Sequence, residues 1–279
     1  MRALLDRHAL LVSRYLSLGA APDYLEIVPP DHDVAEAVND PLRAASALVS
    51  RRAALAWHGG RRDEALALLA TNAQIHRRLW AGARLLAHAD EARALDAGQI
   101  RMVAGLLDSI TPNDPTAPWT QLAALLDSPP QTLAPLLAGQ RDAHLAKRFM
   151  DQPQLLLNLG PEHPWLQRLV DYLIQLNYLP NATRNAVYDE WQPLLAQADV
   201  PMNQLPDLAQ AQPPSPPPFR LRNAFGLLVQ DSLARHLQVA KDTLQNAKAL
   251  EAHRRQVRQS IASRQQMASA RTGARPVTR

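Results

Sequence analysis

A chain of 279 residues in which 47% are apolar carries enough hydrophobic side chain for one large core or two ordinary ones. It has no cysteine, which excludes disulfides, thiolate metal sites and a cysteine nucleophile. The net charge of +4 conceals an asymmetry: residues 220 to 279 hold 12 Arg or Lys against 3 Asp or Glu, a balance of +9, and the rest of the chain carries −5.

From the N-terminus, Leu4, Leu5, Ala9, Leu11, Val12, Tyr15 and Leu16 outline an amphipathic helix that residues 19 to 22 stop. Arg2, Asp6, Arg7 and Arg14 interrupt it too often for a membrane span or a signal peptide, so the chain as written has no address label. Residues 24 to 40, with Pro29-Pro30 and Asp31-His32-Asp33, read as a loop. Pro41 then suits the first turn of a helix with Asp40 as its N-cap. Helices are predicted at 42 to 58, 62 to 88 and 90 to 109, the second bent near Gly82.

The stretch ALAWHGGRRDEALALL, residues 54 to 69, predicts two antiparallel helices meeting at a Gly-Gly turn. Gly59 is expected to take the left-handed conformation that ends the first helix, while Asp63 and Glu64 complement the dipole at the start of the second. The spacing of Gly60, Ala65 and Leu69 matches half of a tetratricopeptide unit, with no second copy 34 residues away.

Three prolines make residues 111 to 118 a connector. Shorter helices are expected at 119 to 126, 132 to 137 and 141 to 150, and the apolar run LLLNLG within 153 to 164 reads as buried coil or a helical turn. Helices return at 165 to 176 and at 181 to 196, the latter bent or ended by Pro193. Residues 201 to 218, ending in QPPSPPP, predict a polyproline-type strap or linker.

Asn223 is expected to cap the longest helix, running to Gln266 and spanning on the order of 65 Å at 1.5 Å per residue. Leu233, Leu237, Ala240, Leu244 and Ala247 alternate in fours and threes, as in a seam packed against another helix. Beyond Leu250 the seam thins to Val257 and Ile261, while Arg254, Arg255, Arg258 and Arg264 accumulate as a basic surface. Residues after about 255 are expected to project into solvent. The domain plan is therefore a helical-hairpin domain over 1 to 200, a proline-rich strap over 201 to 222, a basic amphipathic helix over 223 to 267 and a disordered tail over 268 to 279.

Motifs that carry chemistry are scarce. There is no GxSxG, HExxH, GxxxxGK or GxGxxG spacing. Asp31, His32 and Asp33 offer possible metal ligands, but three adjacent residues converge only through a strained turn, and a solvated acidic loop is the plainer reading. Glu162-His163 and Asp189-Glu190 read as helix starts and surface faces. His76 and Trp80, one turn apart, are candidates to line an apolar groove with Trp57 and Tyr15, a packed core histidine being the simpler alternative. No catalytic residue, metal ligand or cofactor is assigned.

Arg14-Tyr15 with Tyr24, GGRRDEALALL, RLWAGARLLAHADEARAL, LPNATRNAVYDEW and PFRLRNAFG occur in an order that resembles a family of uncharacterised proteobacterial helical proteins. The resemblance covers residues 4 to 255. Family members commonly look like envelope proteins with an N-terminal signal or anchor, so the resemblance implies a periplasmic or envelope location. It carries no activity. This chain begins directly at the first helix, as a truncated or alternative start would.

The expected fold is all-α: a weakly tetratricopeptide-like array of helical hairpins closed by a long C-terminal helix. The expected role is a protein-interaction or scaffolding module whose partner is another protein. The alternatives are an envelope-associated hydrolase, a protein binding anionic surfaces weakly through the basic helix, or a carrier of a small apolar ligand. Specific nucleic-acid binding is not expected, because no aromatic residue follows Phe225 to stack on bases.

Overall fold

The computed structural model describes residues 2–22, 24, 36–111, 114, 117–127, 134–145, 164–196, 200 and 224–273. About 88% of the described residues are helical and none of them lies in a strand. The order is α1 (Arg2–Arg7), α2 (Ala9–Ser17) with a 3-10 turn at Leu18–Ala20, α3 (Glu36–His58), α4 (Arg62–Gly82), α5 (Leu86–Asp108), α6 (Trp119–Leu125), α7 (Ala134–Leu145), α8 (Pro164–Asn177), α9 (Pro180–Leu195) and α10 (Ala224–Gly273). The Asp31-His32-Asp33 loop, the LLLNLG run, Glu162-His163, the proline-rich strap and Asn223 lie outside the described residues.

Small side chains explain the tight centre. Ala45, Ala53 and Ala56 of α3 and Ala65 of α4 are all buried, letting the helix backbones approach closely. Across the turn between α3 and α4, the Arg61 N–H bonds the Ala56 carbonyl at 2.9 Å and the Gly60 N–H bonds the Trp57 carbonyl at 3.0 Å. This is a Schellman closure, which requires a left-handed residue after the cap. That residue is Gly60, with φ +78, and not Gly59 as the sequence reading expected.

Other boundaries move for local reasons. Helix α3 starts at Glu36, with Pro41 inside it at the sixth position rather than in the first turn after an Asp40 cap. The helix absorbs the missing proline N–H there at the expense of one intrahelical bond. Helix α4 ends at Gly82 instead of bending through it to residue 88. A Cβ at Gly82 would lie 2.1 Å from the Tyr24 carbonyl oxygen, so the crossing chain needs glycine at this point. Helix α5 then begins at Leu86, whose N–H is capped by Gln140 Oε1 of α7 at 2.8 Å.

Two apolar clusters form. The first joins α2, α3, α4, α5 and α6 around Leu69, Ile75, Ile100 and Leu122. The second joins the start of α5 with α7 and α9 around Leu137, Val187 and Trp191. Helix α10 belongs to both: Ala240, Leu244 and Ala247 enter the second cluster, and Val257 and Ile261 enter the first. At 50 residues it spans about 75 Å. Thr243 bonds Asp90 at 2.9 Å, Arg254 pairs with Asp96, and Arg264 meets the Leu107 carbonyl at 2.6 Å. Both residue numbers rise together, so α10 runs alongside α5 in the same direction. The C-terminal half of α10 is thus docked and does not project into solvent after residue 255. The helix also continues past Gln266 to Gly273, into part of the tail expected to be disordered.

Candidate functional site

The four residues expected to line an apolar groove do not form one. Tyr15, Trp57 and His76 are buried in the body, and Trp80 is only partly buried. Hydrogen bonds account for most of this burial. The Trp57 indole N–H donates to Ser109 Oγ at 2.8 Å, and the Ser109 hydroxyl donates to the Leu106 carbonyl at 2.6 Å. Arg62 stacks over the Trp57 ring at 5.4 Å. The Tyr15 hydroxyl donates to Asn72 Oδ1 at 2.8 Å, and burial pushes its pKa up.

Tyr15 and His76 instead belong to a buried polar chain that crosses four helices. Asn72 Oδ1 accepts from Tyr15 of α2 and lies 3.2 Å from Ser46 Oγ of α3. Asn72 Nδ2 donates to Gln99 Oε1 of α5 at 3.0 Å, and Gln99 Nε2 donates to the Leu69 carbonyl at 3.0 Å. Ser46 Oγ lies 3.0 Å from His76 Nε2. Buried amides and hydroxyls that are satisfied in this way specify one arrangement of helices, because any slip leaves a donor or acceptor unpaired.

Ser46 and His76 have the separation of a nucleophile and its base, yet the arrangement lacks the rest of a triad. Both side chains are enclosed, and His76 Nδ1 has no hydrogen-bond partner among the described residues, hence no carboxylate to orient the ring. Burial, with Arg77 adding to it, lowers the His76 pKa to about 3, so the ring is neutral at ordinary pH. A cavity of about 20 Å³ adjoins His76, Trp80, Asp96 and Arg254, room for a single water.

The arginines expected to form a basic surface have fates of their own. Arg254 is 6% exposed and pairs with both Asp96 of α5 and Glu251. Desolvation raises the Asp96 pKa, a shift opposed by Arg254 and Arg77. Arg258 pairs with Asp127 at 2.6 Å, and Arg264 with Asp108 at 3.1 Å. Arg255 stays exposed and reaches back to the Glu251 carbonyl at 3.4 Å. Three of the twelve cations at this end of the chain, Arg254, Arg258 and Arg264, are answered by carboxylates of the −5 body. Among the described residues no group of three metal-ligating side chains occurs, and no helix is long and apolar enough to cross a membrane.

The most exposed apolar surface is elsewhere, on α8. Trp165 is 68% exposed, Tyr172 58% and Leu176 62%, with Leu169 and Leu173 also open. Of the described α8 residues only Ile174 is buried, and Leu166 and Val170 flank it on the side toward the body. Trp165, Leu169, Tyr172 and Leu176 repeat in steps of four, three and four, which places them on one face of the helix. The sequence marked this helix but not its orientation. Its apolar residues outnumber what one buried face holds, and that excess was the available signal.

Comparison with known proteins returns no match: no protein family, no curated protein and no solved structure is similar to this chain.

Proposed function

We propose that this chain is a helical protein-interaction or scaffolding module and that α8 presents its binding surface. The observation that carries the reading is the open stripe of Trp165, Leu169, Tyr172, Leu173 and Leu176. From those exposures the stripe measures on the order of 500 Å², at the upper end of the patch sizes found on monomers, which are often functional. Trp and Tyr are the side chains most enriched at protein contacts, since they bring large apolar area at low entropy cost. The successive packing of α3 on α4 and α4 on α5 fits a hairpin array of the tetratricopeptide type, which displays helices as a rigid platform. The order of motifs resembling the proteobacterial envelope family supports a periplasmic or envelope setting.

Two alternatives draw less support. A hydrolase needs a nucleophile open to substrate, and Ser46 beside His76 is enclosed. An anionic-surface binder needs free cations, and Arg254, Arg258 and Arg264 already hold carboxylates. The test is capture from a lysate of the native host by the immobilised full chain and by its Leu169→Asp variant. A protein retained by the first and lost by the second supports the reading; identical captures overturn it.

A further inference from the structure

Away from α8, one deeply buried atom is left without a partner. His76 Nδ1 makes no hydrogen bond among the described residues, and its ring, 1% exposed, forms part of the wall of the cavity of about 20 Å³ between α4, α5 and α10. We propose that this cavity is the binding site of one ordered water molecule, which donates to His76 Nδ1 and accepts from a guanidinium on the cavity wall, joining the buried polar chain to the ionic seat of α10. The inference is independent of what α8 binds.

The direction of every hydrogen bond in the polar chain is fixed from one end. A backbone carbonyl can only accept, so the Gln99 atom 3.0 Å from the Leu69 carbonyl is the amide nitrogen. Gln99 therefore turns its oxygen to Asn72, which answers with Nδ2 at 3.0 Å. Asn72 is left with Oδ1 facing two hydroxyls, Tyr15 at 2.8 Å and Ser46 at 3.2 Å, and both donate to it. A serine has a single proton. With that proton spent on Asn72, Ser46 Oγ can only accept at its 3.0 Å contact with His76, and the donor there is Nε2–H. The opposite setting, with Ser46 donating to His76, leaves two bare oxygens facing each other at 3.2 Å and one buried hydrogen bond fewer. Burial holds the imidazole neutral, so the ring carries one N–H. Because that proton sits on Nε2, Nδ1 is a bare lone pair and needs a donor.

The wall of the cavity decides which donor can answer. Arg77, Arg93 and Arg254 bring cations to it, and Asp96 and Glu251 bring carboxylates. Arg254 pairs with both of those carboxylates, Arg93 with Asp90, and Arg77 donates to the Leu125 carbonyl. A guanidinium has five N–H groups, more than these contacts use. A halide has no proton to give and would set its charge against the Nδ1 lone pair. A metal or ammonium cation would stand among three guanidinium groups, and no group of three metal-ligating side chains occurs among the described residues. What remains is a neutral molecule that both donates and accepts, and the volume admits one water and nothing larger. Water offers one O–H to Nδ1, a second to a carboxylate of the wall, and its lone pairs to a guanidinium, which meets the two to four polar partners that an internal water keeps. Helix α10 contributes Glu251 and Arg254, so the site is complete only while α10 is docked.

The experiment is nuclear magnetic resonance of the full chain carrying 13C,15N-labelled histidine, near neutral pH, with the His76 signals assigned by their loss in His76→Gln. The wild type is expected to show Nε2 as a protonated nitrogen, Nδ1 as a bare one, and a rotating-frame Overhauser contact between the ring Hε1 and water. Ser46→Ala removes the acceptor of Nε2–H, and should raise the Nδ1–H tautomer from a trace to a substantial share. The water contact should persist in Ser46→Ala, which separates a bound water from exchange relayed by the serine hydroxyl.

A wild-type ring protonated at Nδ1 overturns the inference, and so does a His76 ring with no water contact, since the cavity would then be dry. A tautomer unchanged in Ser46→Ala would show that the polar chain does not set the ring and would remove the reason for a donor at Nδ1. His76 resonances that move when sodium chloride replaces sodium sulfate, or when zinc sulfate is added, would assign the cavity to an ion and overturn the inference as well.

Discussion

His76 shows how burial decides the behaviour of a titratable side chain. Its folded pKa of about 3 lies below the ordinary imidazole value near 6.5, so below pH 6.5 the unfolded chain takes up a proton that the folded chain refuses. Stability must then fall with falling pH across the window from 6.5 to 3, by up to about 1.4 kcal/mol per unit. Between pH 6.5 and 5 the wild type should lose about 1 to 2 kcal/mol more than His76→Gln, measured by urea unfolding at both values. Burial acts on Asp96 in the opposite direction, which is why the difference between the two proteins, and not the raw slope, is the quantity to read. Parallel losses would mean that bulk water reaches the ring. Glycines supply a second contrast at this scale. Gly60 holds a left-handed φ, whereas Gly98 sits within α5 with nothing within 4 Å of the place its Cβ would occupy. Gly60→Ala should destabilise by about 1 to 2 kcal/mol, and Gly98→Ala should stabilise by up to about 1 kcal/mol. Thermal midpoints moving in the same direction would contradict the assignment of the turn.

Among the elements, what could be read from the sequence was set by the range of the interaction. The 3.6-residue recurrence of leucine and alanine is local, and so α5, α8 and α9 were legible to within a few residues, while α3 and α4 were legible as helices but each misplaced at one end by about six residues. Boundaries fixed from a distance were not. The Tyr24 carbonyl that requires glycine at position 82 lies 58 residues away in the chain, and the Gln140 side chain that caps Leu86 lies 54 away. The polar chain through Tyr15, Ser46, Asn72, His76 and Gln99 was hidden for the same reason: Tyr15 and His76 read as groove or core residues, but nothing in the sequence connects them to Ser46, Asn72 and Gln99 until the helices are packed. Helix α10 misleads most. Its last turns are rich in arginine and poor in apolar residues, yet Val257 and Ile261 suffice to seat it because Asp96, Asp108 and Asp127 receive the charges. Ending the chain after Arg255 should therefore be costly. The loss of two buried aliphatic side chains at about 1 to 4 kcal/mol each, together with the pairs of Arg258 and Arg264, predicts a Tm lower by at least about 4 °C. Ending it after Met267 should change the Tm by no more than about 2 °C, because Ser269 and Ala270 are exposed and Ala268, half-buried, belongs to neither core. Equal midpoints for the two truncations would return the end of α10 to solvent.

For the molecule as a whole, α10, alongside α5, runs through both apolar clusters and joins them as one continuous helix. Leu244 lies in one cluster and Ile261 in the other, and the helix between them is continuous. Fraying of either cluster must pull on a rigid rod seated in the other, so a single unfolding transition is expected for the wild type. Leu244→Ala and Ile261→Ala should each cost about 2 to 4 kcal/mol and shift that one transition without splitting it. Ala252 lies between the two anchor points on the exposed side of α10. Proline there removes the N–H that bonds the carbonyl four residues earlier and clashes with that turn, at about 3 kcal/mol. Its side chain touches neither cluster, so the cores keep their own packing while the rod between them is broken. Ala252→Pro should then resolve two transitions in differential scanning calorimetry, the one belonging to α7 and α9 separating from the one belonging to α3, α4 and α5. The exposed-site control Ala252→Ser should keep a single transition within about 1 kcal/mol of the wild type. A single transition in Ala252→Pro, lowered but unsplit, would show that the clusters are coupled through the contacts of α5 and α7 and not through the long helix.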